Sequence, residues 1–448
     1  MKIKQVILAD PATAAGSVLE SLKQLGLQIS DRLGQGSCSD SLLICTPGYE
    51  EDTKGSLLIR QALAGGAAIS IKDSDACPVL EEIAETGGLS QATRDRLKAY
   101  ALFRCLQSDA RRLEALQAGM EGMPLYAAAA YEKMQELRYG ENWHQKAALY
   151  VKPGTLGLQM AKKLNGKEMS YNNMVDAETV LEMLIDLSEY DGIAVDQPLS
   201  VIVKHANPCG VAYAPSLAQA YKLSFATDPK SAFGGVIGFN RPVDADTARA
   251  IGESFVEVLL APGYDPEALR MLTEKKPNRR ILDIGDLLSR QDELYRGFYQ
   301  KNIFGGMMLQ DYDRGDIKEW RVVTERPPTE SEAKALRFAW KVSKYVKSNA
   351  LVYTTDCQTI GIGSGQVSRV DSARFGAEKA EEHGLSTRGT VAATDSFFPF
   401  RDGLDQTFLA GASAVIHPGG SVRDAEVIDA ANEHGMAMVF TGMRHFRH

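Results

Sequence analysis

The chain has no run of 18 or more consecutive apolar residues, so its sequence contains no candidate for a membrane-spanning helix. It also lacks a basic surplus, because 50 lysines and arginines stand against 58 aspartates and glutamates and the formal net charge is −8. A general nucleic-acid-binding protein would carry such a surplus. We therefore expect neither a nucleic acid nor a membrane as partner, while a local basic pocket for a phosphorylated small molecule stays compatible with this balance.

Cysteine is sparse and scattered. The six cysteines contain no C-x-x-C pair and lie at positions 38, 45, 77, 105, 209 and 357. This spacing argues against a structural zinc site and against a disulfide framework. It favours a protein of the reducing cytoplasm.

The length of the chain predicts several domains, since 448 residues exceed what one hydrophobic core usually supports. Short apolar runs alternate with helical segments near the N-terminus, which indicates a small α/β unit. The small-residue stretch 118–124 predicts a linker. Pro327–Pro328 predicts a second boundary, with Thr329 and Glu332 in a capping-box pattern before a new helix. The predicted domains are 1–117, 118–326 and 327–448.

The later part of the chain has the pattern of a second α/β layer. A helix is predicted over 330–346, and strands are predicted at 198–204, 234–240, 350–355, 359–365, 390–395, 412–418 and 436–442. The second and third predicted domains both have this α/β pattern, which permits, without proving, a duplicated α/β layer.

The string VIVKHANPCG is the most informative in the sequence. An apolar strand delivers Lys204 and His205 side by side into an expected loop of Asn-Pro-Cys-Gly. Histidine suits proton transfer near neutral pH, and lysine can stabilise a developing anion. For an isolated Lys-His pair, a strand that ends on two surface polar residues is the commoner explanation. The N-P-C-G that follows weighs against it, because no ordinary turn requires this combination.

Two further strings are typical of ligand contacts. Arg138 offers donors for phosphate or carboxylate, and the neighbouring Tyr139 can stack on a heterocycle. An exposed turn is an equally good interpretation of that pair alone. Phe233 and Gly234 lie before a strand, where glycine lets a flat ligand approach the backbone, although such a pattern is commonly just a turn.

The remaining candidates lie in the last third of the chain. The glycine-rich segment before Arg369 lacks both G-x-G-x-x-G and G-K-[ST], so we set NAD and ATP aside and keep Arg369 as a candidate anion contact. The loop from Phe397 to Asp402 combines three aromatic rings, a proline and a carboxylate, which suits a pterin ring as well as simple core packing. Arg444 and His448 close the chain, where tails normally fray.

In this order, these strings resemble the transformylase half of the AICAR transformylase/IMP cyclohydrolase family, over roughly residues 124–448. The resemblance implies two cytidine-deaminase-like α/β/α subdomains and a homodimer with active sites across the subunit interface. It implies transfer of a formyl group from 10-formyltetrahydrofolate to the 5-amino group of aminoimidazole carboxamide ribonucleotide (AICAR), a step of purine biosynthesis.

The resemblance also assigns roles to individual residues. The catalytic residues would be Lys204, His205 and Asp402. The residues expected to bind the nucleotide substrate are Arg138, Tyr139, Phe233, Gly234, Glu257, Asn349, Arg369, Phe397, Arg444 and His448. The residues expected to bind the folate are Asn349, Pro399, Phe400 and Asp402. Glu257 stands where relatives can have aspartate, which is a mild departure from the family pattern.

Metal requirements follow from the same resemblance. Zinc-dependent cytidine deaminases need H-x-E and P-C-x-x-C. Here Pro208–Cys209 is followed by Gly-Val-Ala and no H-x-E precedes it, so no catalytic zinc is expected. The family can hold a structural potassium ion near the loop that corresponds to residues 347–349.

The N-terminal region departs from the family. Residues 55–101 resemble only the last third of its cyclohydrolase domain, the family strings K-T-L-H-P and N-L-Y-P-F are absent, and Ala64–Gly65–Gly66 replaces K-N-H. We therefore expect a truncated, methylglyoxal-synthase-like α/β domain without IMP cyclohydrolase activity. Two alternatives to formyl transfer stay open, a non-catalytic or regulatory nucleotide-binding relative and a zinc-free deaminase-like hydrolase.

Overall fold

The computed structural model describes residues 2–9, 22, 24–25, 27–30, 39–45, 51, 53–71, 73–190, 193–252, 254–274 and 276–448. The chain divides into two compact units, Met1–Glu132 and Lys133–His448. Both units combine helices with sheets that contain parallel strands, so the predicted α/β class is confirmed. The finer division at residues 117 and 326 stays a prediction.

The strands of the first unit are β1 (Gln5–Leu8), β2 (Gln28–Ser30), β3 (Ser41–Ile44) and β4 (Ala68–Ser70), and its described helices are α1 (Thr53–Ala64), α2 (Asp73–Thr86) and α3 (Gln91–Gln117). The strands form one sheet in the order β2-β1-β3-β4, with every neighbouring pair parallel. Helix α3 buries Leu97, Ala101 and Cys105, which recur every four residues and so form one face of the helix.

From residue 132 onward the strands alternate with a second set of helices. The strands are β5 (Glu132–Leu137), β6 (Ala147–Val151), β7 (Lys162–Asn165), β8 (Glu189–Tyr190), β9 (Ile193–Ala194), β10 (Leu199–Lys204), β11 (Asn207–Tyr213), β12 (Val236–Phe239), β13 (Val258–Ala261), β14 (Arg280–Asp283), β15 (Tyr299–Ile303), β16 (Gly306–Gln310), β17 (Arg321–Val322), β18 (Leu351–Thr354), β19 (Thr359–Gly363), β20 (Val391–Thr394), β21 (Ala414–His417) and β22 (Ala437–Phe440). The helices are α4 (Tyr171–Asp186), α5 (Leu217–Thr227), α6 (Pro229–Ala232), α7 (Ala245–Ile251), α8 (Pro266–Glu274), α9 (Gln291–Leu294), α10 (Glu330–Ser343), α11 (Arg369–Glu382), α12 (Arg401–Leu409) and α13 (Asp424–Glu433).

Two six-stranded sheets of the second unit repeat one topology. The first has the order β11-β10-β12-β13-β14-β7 and the second has the order β19-β18-β20-β21-β22-β17. In each sheet the first two pairs are antiparallel, the next two are parallel and the last is antiparallel. The second unit is therefore a duplicated α/β layer, an arrangement that the sequence permitted without proving.

The two sheets meet at their equivalent edge strands, β11 and β19. Ala212 forms an antiparallel bridge with Gln358, and the Tyr213 N–H donates to the carbonyl of Cys357 at 2.8 Å. The buried hydroxyls of Thr227 and Thr359 lie 3.0 Å apart beneath this junction. One buried cluster contains side chains from both halves, so they share a hydrophobic core.

The predicted strands and the predicted capping box of this unit are confirmed. Strands β12 and β20 are buried along their whole length, which is the pattern of strands covered on both faces. Thr329 and Glu332 form the predicted capping box of α10. Among the helices described, none is long and apolar enough to cross a membrane.

The capping box of α10 yields a prediction about stability. Both Arg326 amino groups donate to the Glu332 carboxylate at 2.8 and 2.9 Å, and the Ser413 hydroxyl donates to it at 2.6 Å. Burial alone would raise the pKa of Glu332, but these bonds and the Thr329 N–H outweigh it and lower the pKa to about 2. The ionised carboxylate therefore stabilises the fold above pH 4.5, and this contribution falls between about pH 4.5 and 2.

We expect Glu332→Gln to lower the free energy of unfolding by roughly 1–2 kcal/mol at pH 7. The deficit relative to wild type should shrink at pH 3, because protons then bind the unfolded wild-type carboxyl. Urea denaturation at the two pH values measures both, with Glu330→Gln in the same helical turn as control. An equal deficit at pH 7 and pH 3 would contradict this account.

Candidate active site

The Lys-His pair lies at a tight turn between β10 and β11. Lys204 pairs with Asn207 across the hairpin, which leaves only His205 and Ala206 in the turn. Both have positive φ, 56° and 55°, a conformation that costs non-glycine residues roughly 1–3 kcal/mol each. The sequence expectation of an N-P-C-G loop is therefore wrong. These residues start β11, because pairing with β10 satisfies their backbone groups and a bulge beside Val203 accommodates Pro208.

A buried carboxylate on helix α4 binds this turn. The N–H of His205 donates to Asp176 Oδ2 at 3.2 Å, and the N–H of Ala206 donates to Oδ1 at 2.7 Å. Burial raises the pKa of Asp176, and the two N–H donors act in the opposite direction. The turn is thereby anchored to a helix through both oxygens of one side chain.

The Lys204 ammonium binds a backbone carbonyl at the C-terminal end of α6. Its Nζ donates to the carbonyl of Phe233 at 2.7 Å. The Phe233 ring is exposed and lies 5.1 Å from the ring of Phe255. Gly234 has a φ of 75° and donates its N–H to the carbonyl of Phe255 at 2.8 Å. The structure thus brings Lys204, Phe233 and Gly234 together, and their roles in catalysis and binding stay predictions.

A second group of predicted residues surrounds a buried guanidinium. Arg280 donates to Glu257 Oε2 at 3.0 Å. Burial lowers the pKa of Arg280, and the charge of Arg138 acts in the same direction, whereas Glu257 and Tyr139 act in the opposite direction. The Arg138 guanidinium lies 5.4 Å from the centre of the Tyr139 ring.

This second group is tied to the start of α4, the helix that carries Asp176. Asn172 donates from its amide to the carbonyl of Glu141 at 3.2 Å, and Asn173 donates to Glu257 Oε2 at 3.4 Å. The N-terminal part of α4 therefore links the segment after Arg138 with Glu257.

The loop 347–349 of the second half also reaches the hairpin. The N–H of Lys347 donates to the side-chain oxygen of Asn207 at 3.0 Å. Asn349 accepts from Arg369 at 3.1 Å, and Arg369 donates to Asp395 Oδ1 at 2.7 Å. Arg369 and Asp395 are both buried, and Arg369 also donates to the carbonyl of Ala350 at 2.9 Å, so these contacts within the protein occupy both terminal nitrogens of the guanidinium.

The C-terminal tail lies against the same loop. The N–H of Ser348 donates to the carbonyl of Arg447 at 3.1 Å, and the N–H of His445 donates to that of Asp395 at 3.1 Å. The Arg447 side chain binds Glu182 at 2.8 Å. Arg444 and His448, both exposed, flank this anchored segment. Their contact with a ligand stays a prediction.

The aromatic loop presents some of its predicted side chains and buries another. Phe398 is fully buried against His417, whereas Phe397, Pro399 and Phe400 are exposed. Asp402 lies in the first turn of α12, is exposed and accepts the N–H of Gly403 at 2.7 Å. No hydrogen bond in the described part of the chain joins Asp402 to Lys204 or His205.

Three buried residues of this region are absent from the sequence-based set. Asp176 is a carboxylate on the buried face of α4, and such a residue signals a polar partner. Arg280 is a cation within a buried strand, which is the same kind of signal. Asp395 follows β20 directly, at the carboxyl end of a strand.

The thiol nearest the hairpin is not poised for chemistry. Cys209 is buried in β11, and burial raises the pKa of its thiol to about 12. Within the described ranges, no group of three or more histidine, cysteine, aspartate or glutamate side chains could hold a metal ion.

A family model and individual known proteins all relate this chain to one family of enzymes. Residues 67–379 match the family model described as AICARFT/IMPCHase bienzyme. The chain is 47% identical over 418 residues to the bifunctional purine biosynthesis protein PurH of Xanthomonas campestris pv. campestris, covering 89% of this chain and 76% of that protein. It is 43% identical over 407 residues to PurH of Acidithiobacillus ferrooxidans, covering 89% and 76%. It is 45% identical over 386 residues to PurH of Persephonella marina, covering 85% and 73%.

The buried pair of Arg369 and Asp395 generates a testable prediction. Arg369→Met should lower the free energy of unfolding by about 3–5 kcal/mol, because it leaves a buried carboxylate without its cation. Arg374→Met on the exposed face of α11 is the matched control, and adding Asp395→Asn to Arg369→Met should recover part of the loss. Urea denaturation measures all four proteins. A loss no larger than that of the control would contradict the assignment.

Proposed function

Because the chain belongs to the AICARFT/IMPCHase bienzyme family, we propose that it transfers the formyl group of 10-formyltetrahydrofolate to the 5-amino group of AICAR. The observation that carries this proposal is the hairpin turn at Lys204 and His205. Asp176 holds it on one side, and the carbonyl of Phe233 holds the Lys204 ammonium on the other. The product is the formylated nucleotide of purine biosynthesis.

The proposed chemistry is acyl transfer with proton transfer. The amine nitrogen attacks the formyl carbon, and His205 removes the proton that the nitrogen loses. Lys204 stabilises the oxyanion of the tetrahedral intermediate. The bond between the formyl carbon and folate N10 then breaks, and N10 takes up a proton. AICAR is a weak nucleophile, since its amine lone pair is delocalised towards the carboxamide, so alignment of the two reactants supplies much of the catalysis.

The nucleotide and the folate are proposed to approach this turn from different elements. The ion pair of Arg280 with Glu257 supports a rigid nucleotide site beside Arg138 and Tyr139. The exposed Phe400 and Pro399 offer an apolar face for the pterin ring. The full proposed set for the nucleotide is Arg138, Tyr139, Phe233, Gly234, Glu257, Asn349, Arg369, Phe397, Arg444 and His448, and that for the folate is Asn349, Pro399, Phe400 and Asp402, with Asp402 also in a catalytic role.

A second copy of the chain is the proposed partner. The β15–β16 hairpin is exposed along nearly its whole length and carries the apolar side chains Ile303, Phe304, Met307 and Met308. A contiguous apolar surface of this kind marks an interface. Within such a homodimer, active sites would lie at the subunit boundary.

A monovalent cation is compatible with the loop 347–349. Asp395 Oδ2 is buried and accepts no hydrogen bond within the described residues. A buried carboxylate oxygen without a donor suits a bound cation. We propose that Asp395 would help to hold a potassium ion there, which would supply charge balance and structural support rather than a chemical step. No zinc is proposed.

IMP cyclohydrolase activity is proposed to be absent. Helix α1 ends at Ala64, and Gly65 and Gly66 follow, so the segment that replaces the family's K-N-H carries no side chain able to bind substrate or transfer a proton. The remaining proposals are a methylglyoxal-synthase-like fold for residues 1–117, cytidine-deaminase-like folds for 118–326 and 327–448, and a cytoplasmic location. The repeated strand order of the two sheets supports the pair of like subdomains.

A non-catalytic nucleotide-binding relative is the second candidate function. It is favoured by the position of Asp402, which makes no described hydrogen bond to the Lys-His turn. The strained and anchored turn favours catalysis instead, because binding alone does not require a Lys-His pair held in this conformation. A measurement of turnover distinguishes an enzyme from a non-catalytic binding protein. Dependence of that turnover on formyl-folate distinguishes formyl transfer from the deaminase-like hydrolase that the sequence leaves open.

We expect the purified protein to release tetrahydrofolate from 10-formyltetrahydrofolate only when AICAR is present. His205→Gln should lower kcat roughly 10²- to 10⁴-fold, since a positioned acid–base group contributes that much. Calorimetric titration with AICAR should show nucleotide affinity close to wild type. His434→Gln, which changes the histidine that caps the C-terminus of α13 and hydrogen-bonds to Asp405, is the control. Near-normal turnover by His205→Gln would overturn the catalytic assignment.

The second expectation concerns the product. Chromatography of the same reaction should show the formylated nucleotide accumulating without IMP, because the Ala-Gly-Gly segment lacks the side chains of the family's K-N-H. Addition of a relative with cyclohydrolase activity should convert the accumulated product to IMP. IMP formed by the purified protein alone would refute the loss of the second activity.

A further inference from the structure

The turn at His205 and Ala206 has the backbone of a glycine-containing hairpin without a glycine. Two-residue hairpin turns with positive φ at both positions ordinarily use Asn-Gly or a similar pair. Here the φ values of 56° and 55° belong to a histidine and an alanine. A turn of this kind persists only when the surrounding structure holds it in place.

Asp176 is the side chain that holds it. Each of its carboxylate oxygens accepts one of the two turn N–H groups, at 3.2 and 2.7 Å, and the side chain is 9% exposed. The neighbouring Ala177 and Val180 of α4 are fully buried, so the carboxylate projects from a packed helix. The orientation of both turn peptides is therefore set by an element 29 residues away in sequence.

We propose that Asp176 is a positioning residue, which holds the His205 backbone in the left-handed region and thereby places the imidazole for proton transfer. This inference rests on the proposed formyl transfer. Asp176 acts through the turn and needs no contact with either substrate.

The carboxylate is required because it accepts two bonds. An asparagine amide offers one acceptor oxygen, and its NH₂ group would face the second turn N–H, donor against donor. Asp176→Asn thus keeps the size of the side chain while it releases one of the two peptides. Ala206→Gly is the complementary change, since glycine adopts positive φ without steric cost.

The experiment is a double-mutant cycle on formyl transfer. Asp176→Asn should lower kcat about 10- to 100-fold with the KM of each substrate within about twofold, because the imidazole is displaced while binding surfaces are kept. Ala206→Gly alone should resemble wild type. The double variant should recover most of the lost kcat. Asp244→Asn, which alters a carboxylate bound to a backbone N–H on α7, is the matched control and should leave kcat within about twofold.

Several results would overturn the proposal. It fails if Asp176→Asn keeps the wild-type kcat, if it changes KM alone, or if Ala206→Gly restores nothing, because the loss would then arise elsewhere than in the turn. If Asp176→Asn alone does not fold, the proposal requires the double variant to fold and to catalyse formyl transfer. The reason is that glycine at position 206 removes the strain that the carboxylate offsets.

A readout that needs no turnover separates this inference from the proposed function. The imidazole resonances of His205, assigned among the seven histidines with His205→Gln, should shift in Asp176→Asn and return in the double variant. If wild type transfers no formyl group, the proposed function fails while these resonances still test the turn. Resonances that do not move in Asp176→Asn would refute the positioning role.

Discussion

One buried carboxylate and two backbone N–H groups hold the turn at His205 and Ala206, two non-glycine residues with positive φ. Asp176 fixes the peptides of His205 and Ala206, and the hairpin of β10 and β11 then presents Lys204 to the carbonyl of Phe233. The remaining parts of the candidate site are arranged around this hairpin. A helix supplies the anchor, because helices transmit their packing to a side chain more rigidly than loops do.

The duplicated sheets explain how the two halves reach the same place. Strand β11 is the edge of the first sheet and lies beside β19 of the second, so the hairpin stands at the junction of the halves. Asn207, the first residue of β11, binds the loop 347–349, and the C-terminal tail lies over that loop. Segments that are separated by more than a hundred residues are thereby joined around one turn.

Local patterns in the sequence sufficed for much of this fold. The buried strands β10, β12 and β18 to β22 were predictable because each is a short apolar run bounded by glycine, proline or polar residues. The capping box of α10 was predictable because all its atoms lie within four residues. The tight turn was not, since Ala206 carries none of the usual turn chemistry and its conformation depends on Asp176. The pairings of Arg280 with Glu257 and of Arg369 with Asp395 also join residues that no local pattern relates.

The duplication has a consequence for the far end of the molecule. Because the equivalent edge strands β11 and β19 meet antiparallel, the turn between β10 and β11 and the turn between β18 and β19 lie at opposite ends of the junction. At the second turn stands Cys357, beside a cavity of about 700 Å³ that is lined also by the segment before β10, the counterpart of the loop 347–349. Of the two hairpin turns, the first carries Lys204 and His205, whereas the second, residues 355–358, contains neither a lysine nor a histidine. The duplication therefore supplies one backbone framework twice, and only one of the two hairpins bears the Lys-His pair.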